Sequence, residues 1–241
     1  MALLHVNYYS SALERQSAIF VVLPEHDSLA PYRTIYLLHG LSDDYTVWQR
    51  RTSVERYAER LGIMVVMPDG GRSFYMDGAD GSPRYEQHIL ETVRFVDRTF
   101  RTRNQCRGRG IAGLSMGGYG SLRLALRHPE TFCAAAAHSS VTDIRGFREK
   151  NPSPEWDRIL GSPPLPDRDL FLLAQQPGTK PALRFDCGTE DFLLGENRRF
   201  AEHLRAHNVA HTYAEYPGSH TWEYWDAHVE ESLGFLADRM K

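Results

Sequence analysis

The sequence predicts an α/β fold: a mostly parallel central sheet, helices on both of its faces, and an antiparallel N-terminal edge. Three observations carry that expectation. Short apolar runs, such as residues 34–38, 63–67 and 110–114, alternate with stretches of helical period. The first two runs, residues 3–9 and 16–23, have only a short polar break between them, too little for a crossover helix. The chain is 41% hydrophobic and 24% charged over 241 residues, which supplies a sizeable core and does not suit a disordered chain.

The elements follow in order. Ser10-Ser11 and Pro24 bound the two opening strands. Residues 34–38 run into His39-Gly40, and helical character appears over residues 46–60. Residues 63–67 form a strand closed by Pro68-Asp69-Gly70. Across residues 86–100, Ile89, Leu90, Val93, Phe95 and Val96 recur largely at helical spacing and predict one buried helix face. Residues 110–114 read as a strand, followed by a helix over 116–127 that stops before Pro129. Residues 132–137, 182–187 and 212–216 complete the strands, with helices over 197–207 and 222–240. Residues 141–181 break the rhythm, because seven of the 13 prolines fall there. They read as a cap-like excursion over one end of the sheet, within a single domain spanning residues 1–241.

Charge and cysteine content narrow the function. Lys and Arg number 28 against 31 Asp and Glu, a formal charge of -3, so no basic excess exists to bind a nucleic-acid backbone. No apolar run approaches the ~18 residues of a membrane span. Residues 1–6 carry no secretory pattern, and a cytoplasmic protein is expected. Cys106, Cys133 and Cys187 are odd in number and lack CxxC spacing, and none of the 11 histidines falls in HExxH. Neither a disulfide framework, a catalytic metal nor a cofactor is expected.

Gly113-Leu114-Ser115-Met116-Gly117 reads G-x-S-x-G between a predicted strand and a predicted helix. That context suits a nucleophile elbow, a strained turn that lifts a serine hydroxyl above the carboxyl edge of the sheet. A serine hydroxyl needs a general base and an orienting carboxylate, which in this chain order follow as acid and then histidine. Asp191, just past the strand over 182–187, is the candidate acid, with Glu190 as its competitor and Asp186 set inside the apolar run. His220 sits on the Gly-containing loop after the last strand and is the candidate base. His211 precedes that strand, and His203, His207 and His228 lie on helices.

An acyl-transfer site also needs two N–H donors for the developing oxyanion. Met116, the residue after the nucleophile, supplies one candidate, and Leu41, after the Leu38-His39-Gly40 turn, supplies the other. His39 is assigned a structural hydrogen-bonding role. Trp48 and Trp222 are candidate substrate contacts, with Tyr75 and Trp225 behind them; core packing is the competing assignment for all four. Residues 72–82, rich in Gly and Asp, read as a solvated turn or the edge of a pocket.

These residues together resemble the esterase D family of α/β-hydrolases, especially its bacterial tributyrin-type carboxylesterases. The matching stretches are Tyr36-Leu37-Leu38-His39-Gly40-Leu41 with Trp48, Val66-Met67-Pro68-Asp69-Gly70, and residues 113–120, 187–192 and 220–225. The resemblance implies Ser115, Asp191 and His220 as the triad and Leu41 and Met116 as oxyanion donors. It also implies a small-molecule ester substrate with a short acyl chain. The same family holds S-formylglutathione hydrolases, feruloyl and acetyl-xylan-type esterases, and acyltransferases, which stand as alternatives. The glutathione-thioester hydrolases typically have one more residue in the acid loop than Gly188-Thr189-Glu190-Asp191-Phe192 provides. Aromatic-rich surfaces allow a homo-oligomer.

Overall fold

The structure is a computed structural model that describes residues 1–241, the side chain of Asp27 excepted. β1 (Ala2–Ser10) and β2 (Arg15–Leu23) form the expected antiparallel hairpin, Ala2 opposite Leu23 and Ser10 opposite Arg15. After β3 (Arg33–Leu38), the helix expected over 46–60 is two helices, α1 (Val47–Arg51) and α2 (Val54–Leu61). Thr52 divides them. Its backbone is extended, and its N–H and hydroxyl both donate to the Trp48 carbonyl, at 3.1 and 2.6 Å. β4 (Ile63–Pro68), α3 (Tyr85–Thr99), β5 (Arg109–Leu114), α4 (Met116–Arg127) and β6 (Ala134–His138) follow. The excursion carries α5 (Ile144–Lys150), α6 (Pro154–Leu160) and α7 (Leu170–Gln175). β7 (Ala182–Gly188), α8 (Leu194–Ala206), β8 (His211–Tyr216) and α9 (Trp222–Arg239) close the chain.

The eight strands make one sheet in the order β1-β2-β4-β3-β5-β6-β7-β8. β2 pairs with β4 antiparallel, and every pairing from β4 to β8 is parallel. This is the α/β-hydrolase arrangement that the alternation of elements predicts. The inner strands are apolar throughout because they are buried on both faces. In β3, Tyr36 and Leu38 belong to the core cluster that holds Val93 of α3 and Leu122 of α4. Ile35 and Leu37 belong to the second cluster, with Val54 of α2 and Leu233 of α9.

The excursion is fastened to the body by aromatic rings. Phe74 stacks edge-on against Phe147 of α5 at 5.0 Å and Trp156 of α6 at 5.5 Å. Ser73, Phe74, Tyr75 and Met76 are all buried, so the middle of residues 72–82 is neither solvated turn nor pocket edge. It is the seat on which the excursion packs. Among the described residues, no helix is long and apolar enough to cross a membrane.

Parallel pairing brings the carboxyl ends of β3, β5, β6, β7 and β8 to one edge of the sheet. In such sheets that edge is where ligand-binding loops collect. Here those loops carry His39 to Leu41, Ser115, Ser139, Asp191 and His220.

Candidate active site

Ser115 stands between β5 and α4 with φ 51° and ψ -114°, a left-handed conformation that costs a non-glycine residue ~1–3 kcal/mol. The surroundings impose it. The Ser115 N–H donates to the His138 carbonyl at 2.9 Å, and the Ser115 carbonyl accepts from Tyr119 at 3.0 Å and Val141 at 3.3 Å. The flanking glycines are required by close approach. A Cβ on Gly113 would fall 2.4 Å from the Gly117 carbonyl oxygen, and one on Gly117 would fall 2.5 Å from that of Leu38. The serine hydroxyl is thereby held at the N-terminus of α4, the positive end of its dipole.

His220 lies in the loop between β8 and α9, and Asp191 in the loop between β7 and α8. The imidazole Nε2 is 3.1 Å from Ser115 Oγ, and Nδ1 is 2.9 Å from Asp191 Oδ2. An ionised carboxylate can only accept, so Nδ1 carries the proton and Nε2 is left to receive the serine hydroxyl. Asp191 Oδ1 also accepts the Leu193 N–H at 2.9 Å. Burial opposes ionisation of Asp191, but the His220 hydrogen bond and charge, with the Leu193 and Ser139 donors, outweigh it and hold this carboxyl below the usual carboxylate range.

The competing acids are elsewhere. Glu190 accepts the Gly218 N–H at 2.7 Å and braces one loop against the other. Asp186 is fully buried beneath, accepting from His138 Nδ1 at 3.0 Å and the Tyr224 hydroxyl at 2.9 Å. The His220 ring packs against Trp225, edge-on at 4.9 Å, and against Phe192 at 4.7 Å.

Leu41 lies in the loop after β3 and lines the same cavity as Ser115, and Met116 opens α4 directly after Ser115. The turn before Leu41 is braced from below. His39 Nδ1 donates to the Gly40 carbonyl at 2.8 Å, and Nε2 accepts the Gly70 N–H at 2.9 Å. The Tyr75 hydroxyl donates to the His39 carbonyl at 3.0 Å. His39 is thus a structural brace, and Tyr75 lies beneath the site.

Above Ser115 and His220 opens a cavity of 480 Å³, walled by Leu41, Val141, Phe147, Phe192, Trp222 and Trp225. Asp43, Arg51 and Glu223 add charge to its lining. Trp222 reaches this space, but Trp48 does not. Trp48 is fully buried, its indole N–H donates to the Leu38 carbonyl at 3.0 Å, and it stacks edge-on behind Trp222 at 5.1 Å. Its place is the packing under the cavity wall. Val141 and Phe147 carry no signal in the sequence, since the excursion has no periodicity that separates wall from core. Phe192 is visible there only as the neighbour of the candidate acid.

Fold and site together define a carboxylester hydrolase of the α/β-hydrolase fold. The model of the Esterase family ("Putative esterase") matches residues 10–236, and the chain belongs to that family. It is 27% identical to an acetyl esterase of Caldicellulosiruptor saccharolyticus, with 98% of each chain covered. Among solved structures it is similar to the fluorophosphonate-binding serine hydrolase FphF of Staphylococcus aureus, at 30% identity, TM-score 0.90 and 98% coverage of both chains. The S-formylglutathione hydrolase FrmB of the same organism matches at 31% identity and TM-score 0.89, again over 98% of both.

Proposed function

We propose that this chain is a serine carboxylesterase of the esterase D type that cleaves short-chain acyl esters of small molecules. The observation that carries this is the unbroken series Ser115 Oγ, His220 and Asp191, at 3.1 and 2.9 Å, opening on an apolar-walled cavity. Ser115 Oγ attacks the ester carbonyl carbon while His220 Nε2 takes its proton. The Leu41 and Met116 amides hold the oxyanion, and Asp191, kept ionised, orients the imidazole and stabilises the imidazolium. His220 then protonates the departing alkoxide, and water, activated by the same nitrogen, releases the acid from Ser115. Residues 141–181 act as a cap on a single domain, a role supported by Val141 and Phe147 in the cavity wall. The free thiols Cys106, Cys133 and Cys187 support a cytoplasmic location.

The test is hydrolysis of p-nitrophenyl esters from acetate to decanoate by the parent and Ser115→Ala. Turnover is expected to peak at short acyl chains and to vanish in the variant; equal rates would remove Ser115 from the mechanism. The similarity to FrmB favours a second reading, thioester hydrolysis by the same three residues. A kcat/KM for S-formylglutathione far above that for p-nitrophenyl acetate would make it the better one.

A further inference from the structure

Phe192 directly follows Asp191, and at 76% exposure it is the most exposed large apolar side chain among the described residues. The backbone around it is fixed. Asp191 Oδ1 accepts the Leu193 N–H at 2.9 Å, and the Asp191 carbonyl accepts that of Leu194 at 3.1 Å. The ring stands out in water, 4.7 Å from the imidazole of His220 and in the wall of the 480 Å³ cavity. An apolar ring in that position gains free energy only when something apolar covers it.

The chemistry says which part of a substrate reaches it. When Ser115 Oγ bonds to the carbonyl carbon, its proton passes to His220 Nε2. When the carbon–oxygen bond to the alcohol breaks, the same Nε2 returns that proton to the departing oxygen. The leaving oxygen must come within about 3 Å of Nε2, so its substituent starts beside the imidazole, whose ring centre is 4.7 Å from that of Phe192. The imidazole has supports for its orientation other than Phe192. Asp191 holds Nδ1, and Trp225, 5% exposed and donating to Ser139 Oγ at 3.2 Å, packs edge-on against the ring at 4.9 Å.

We propose that Phe192 determines specificity for the leaving alcohol, favouring esters whose alcohol carries a ring or a branched apolar group. The proposal rests on the serine-esterase reading above. Methyl, butyl and benzyl acetates test it, because all three leave the same acetyl-enzyme and differ only in the departing alcohol. In Phe192→Ala the ratio of kcat/KM for benzyl over methyl acetate is expected to fall about tenfold, with Phe192→Leu between. Deacylation, read from the steady rate after a p-nitrophenyl acetate burst, is expected to escape this loss because the alcohol has already gone. An equal loss on methyl and benzyl acetate together with slowed deacylation would overturn the proposal and make Phe192 a positioning residue for His220. An unchanged ratio would overturn it as well. No ester turnover and no labelling by a fluorophosphonate in the parent chain would instead defeat the serine-esterase reading, and this one with it, before any variant is compared.

Discussion

Replacing Gly117 by alanine measures how tightly the nucleophile turn is pressed onto β3. The added Cβ would sit 2.5 Å from the Leu38 carbonyl oxygen and 2.6 Å from that of His39. Both obstacles are backbone, so no rotamer change relieves them, and α4 must part from the end of β3 by roughly half an ångström. Overpacking of this kind costs ~1–3 kcal/mol of stability. The displacement falls between Ser115 and the His39 to Leu41 turn, the two sides that would share the oxyanion. Since a 1 Å misplacement costs about 10²-fold in rate, a loss between roughly tenfold and 10²-fold in kcat/KM is expected. Urea denaturation and p-nitrophenyl acetate kinetics provide the two readouts. Gly234→Ala is the control: it lies inside α9 with nothing within 4 Å of its Cβ, and should gain ~0.5–1 kcal/mol with unaltered kinetics. A Gly117→Ala protein matching the parent in both stability and rate would refute the close-approach argument.

Two further predictions concern the supports of the site. Glu196 of α8 is buried and accepts the Thr142 N–H at 2.8 Å, next to Val141 in the cavity wall. Burial pushes its carboxyl up to about 7, against the opposing pull of the Asp143 and Thr142 N–H groups. The folded chain then holds this proton where the unfolded chain has released it, so stability declines as pH rises from the ordinary value of 4.5 to about 7, by ~3 kcal/mol in all. Glu196→Gln keeps an acceptor without the charge; it should be more stable than the parent at pH 8 and show no such gain at pH 4.5. Parallel pH slopes for the two proteins in urea denaturation would count against this account. Trp48→Phe removes the donor to the buried Leu38 carbonyl and should cost ~1–3 kcal/mol with KM nearly unmoved, whereas Trp222→Ala should raise KM for p-nitrophenyl butyrate. A KM change larger for Trp48→Phe than for Trp222→Ala would reverse their placement.

Much of the architecture is legible in the chain itself. The apolar run ending at Leu38 is unbroken because Ile35 and Leu37 serve one face of the sheet and Tyr36 and Leu38 the other. Gly113 and Gly117 stand out because carbonyl oxygens crowd both positions, and serine, acid and histidine can meet because parallel strands deliver their loops to one edge. Local pattern ranks Asp191 ahead of Glu190 and of Asp186 inside the apolar run, but three carboxylates so close in sequence leave the geometry open. The geometry comes from the strand that buries Asp186, and from the turn after β7 that brings Asp191 to 2.9 Å from His220. The same limit hid Phe74, set among Gly and Asp yet buried by Phe147 and Trp156 from a distant segment, and exchanged the expected role of Trp48 for a place behind Trp222. Periodicity records which neighbours along the chain share a face. Which of those faces becomes cavity wall and which becomes core is decided by segments far apart in sequence, and only the folded chain brings them together.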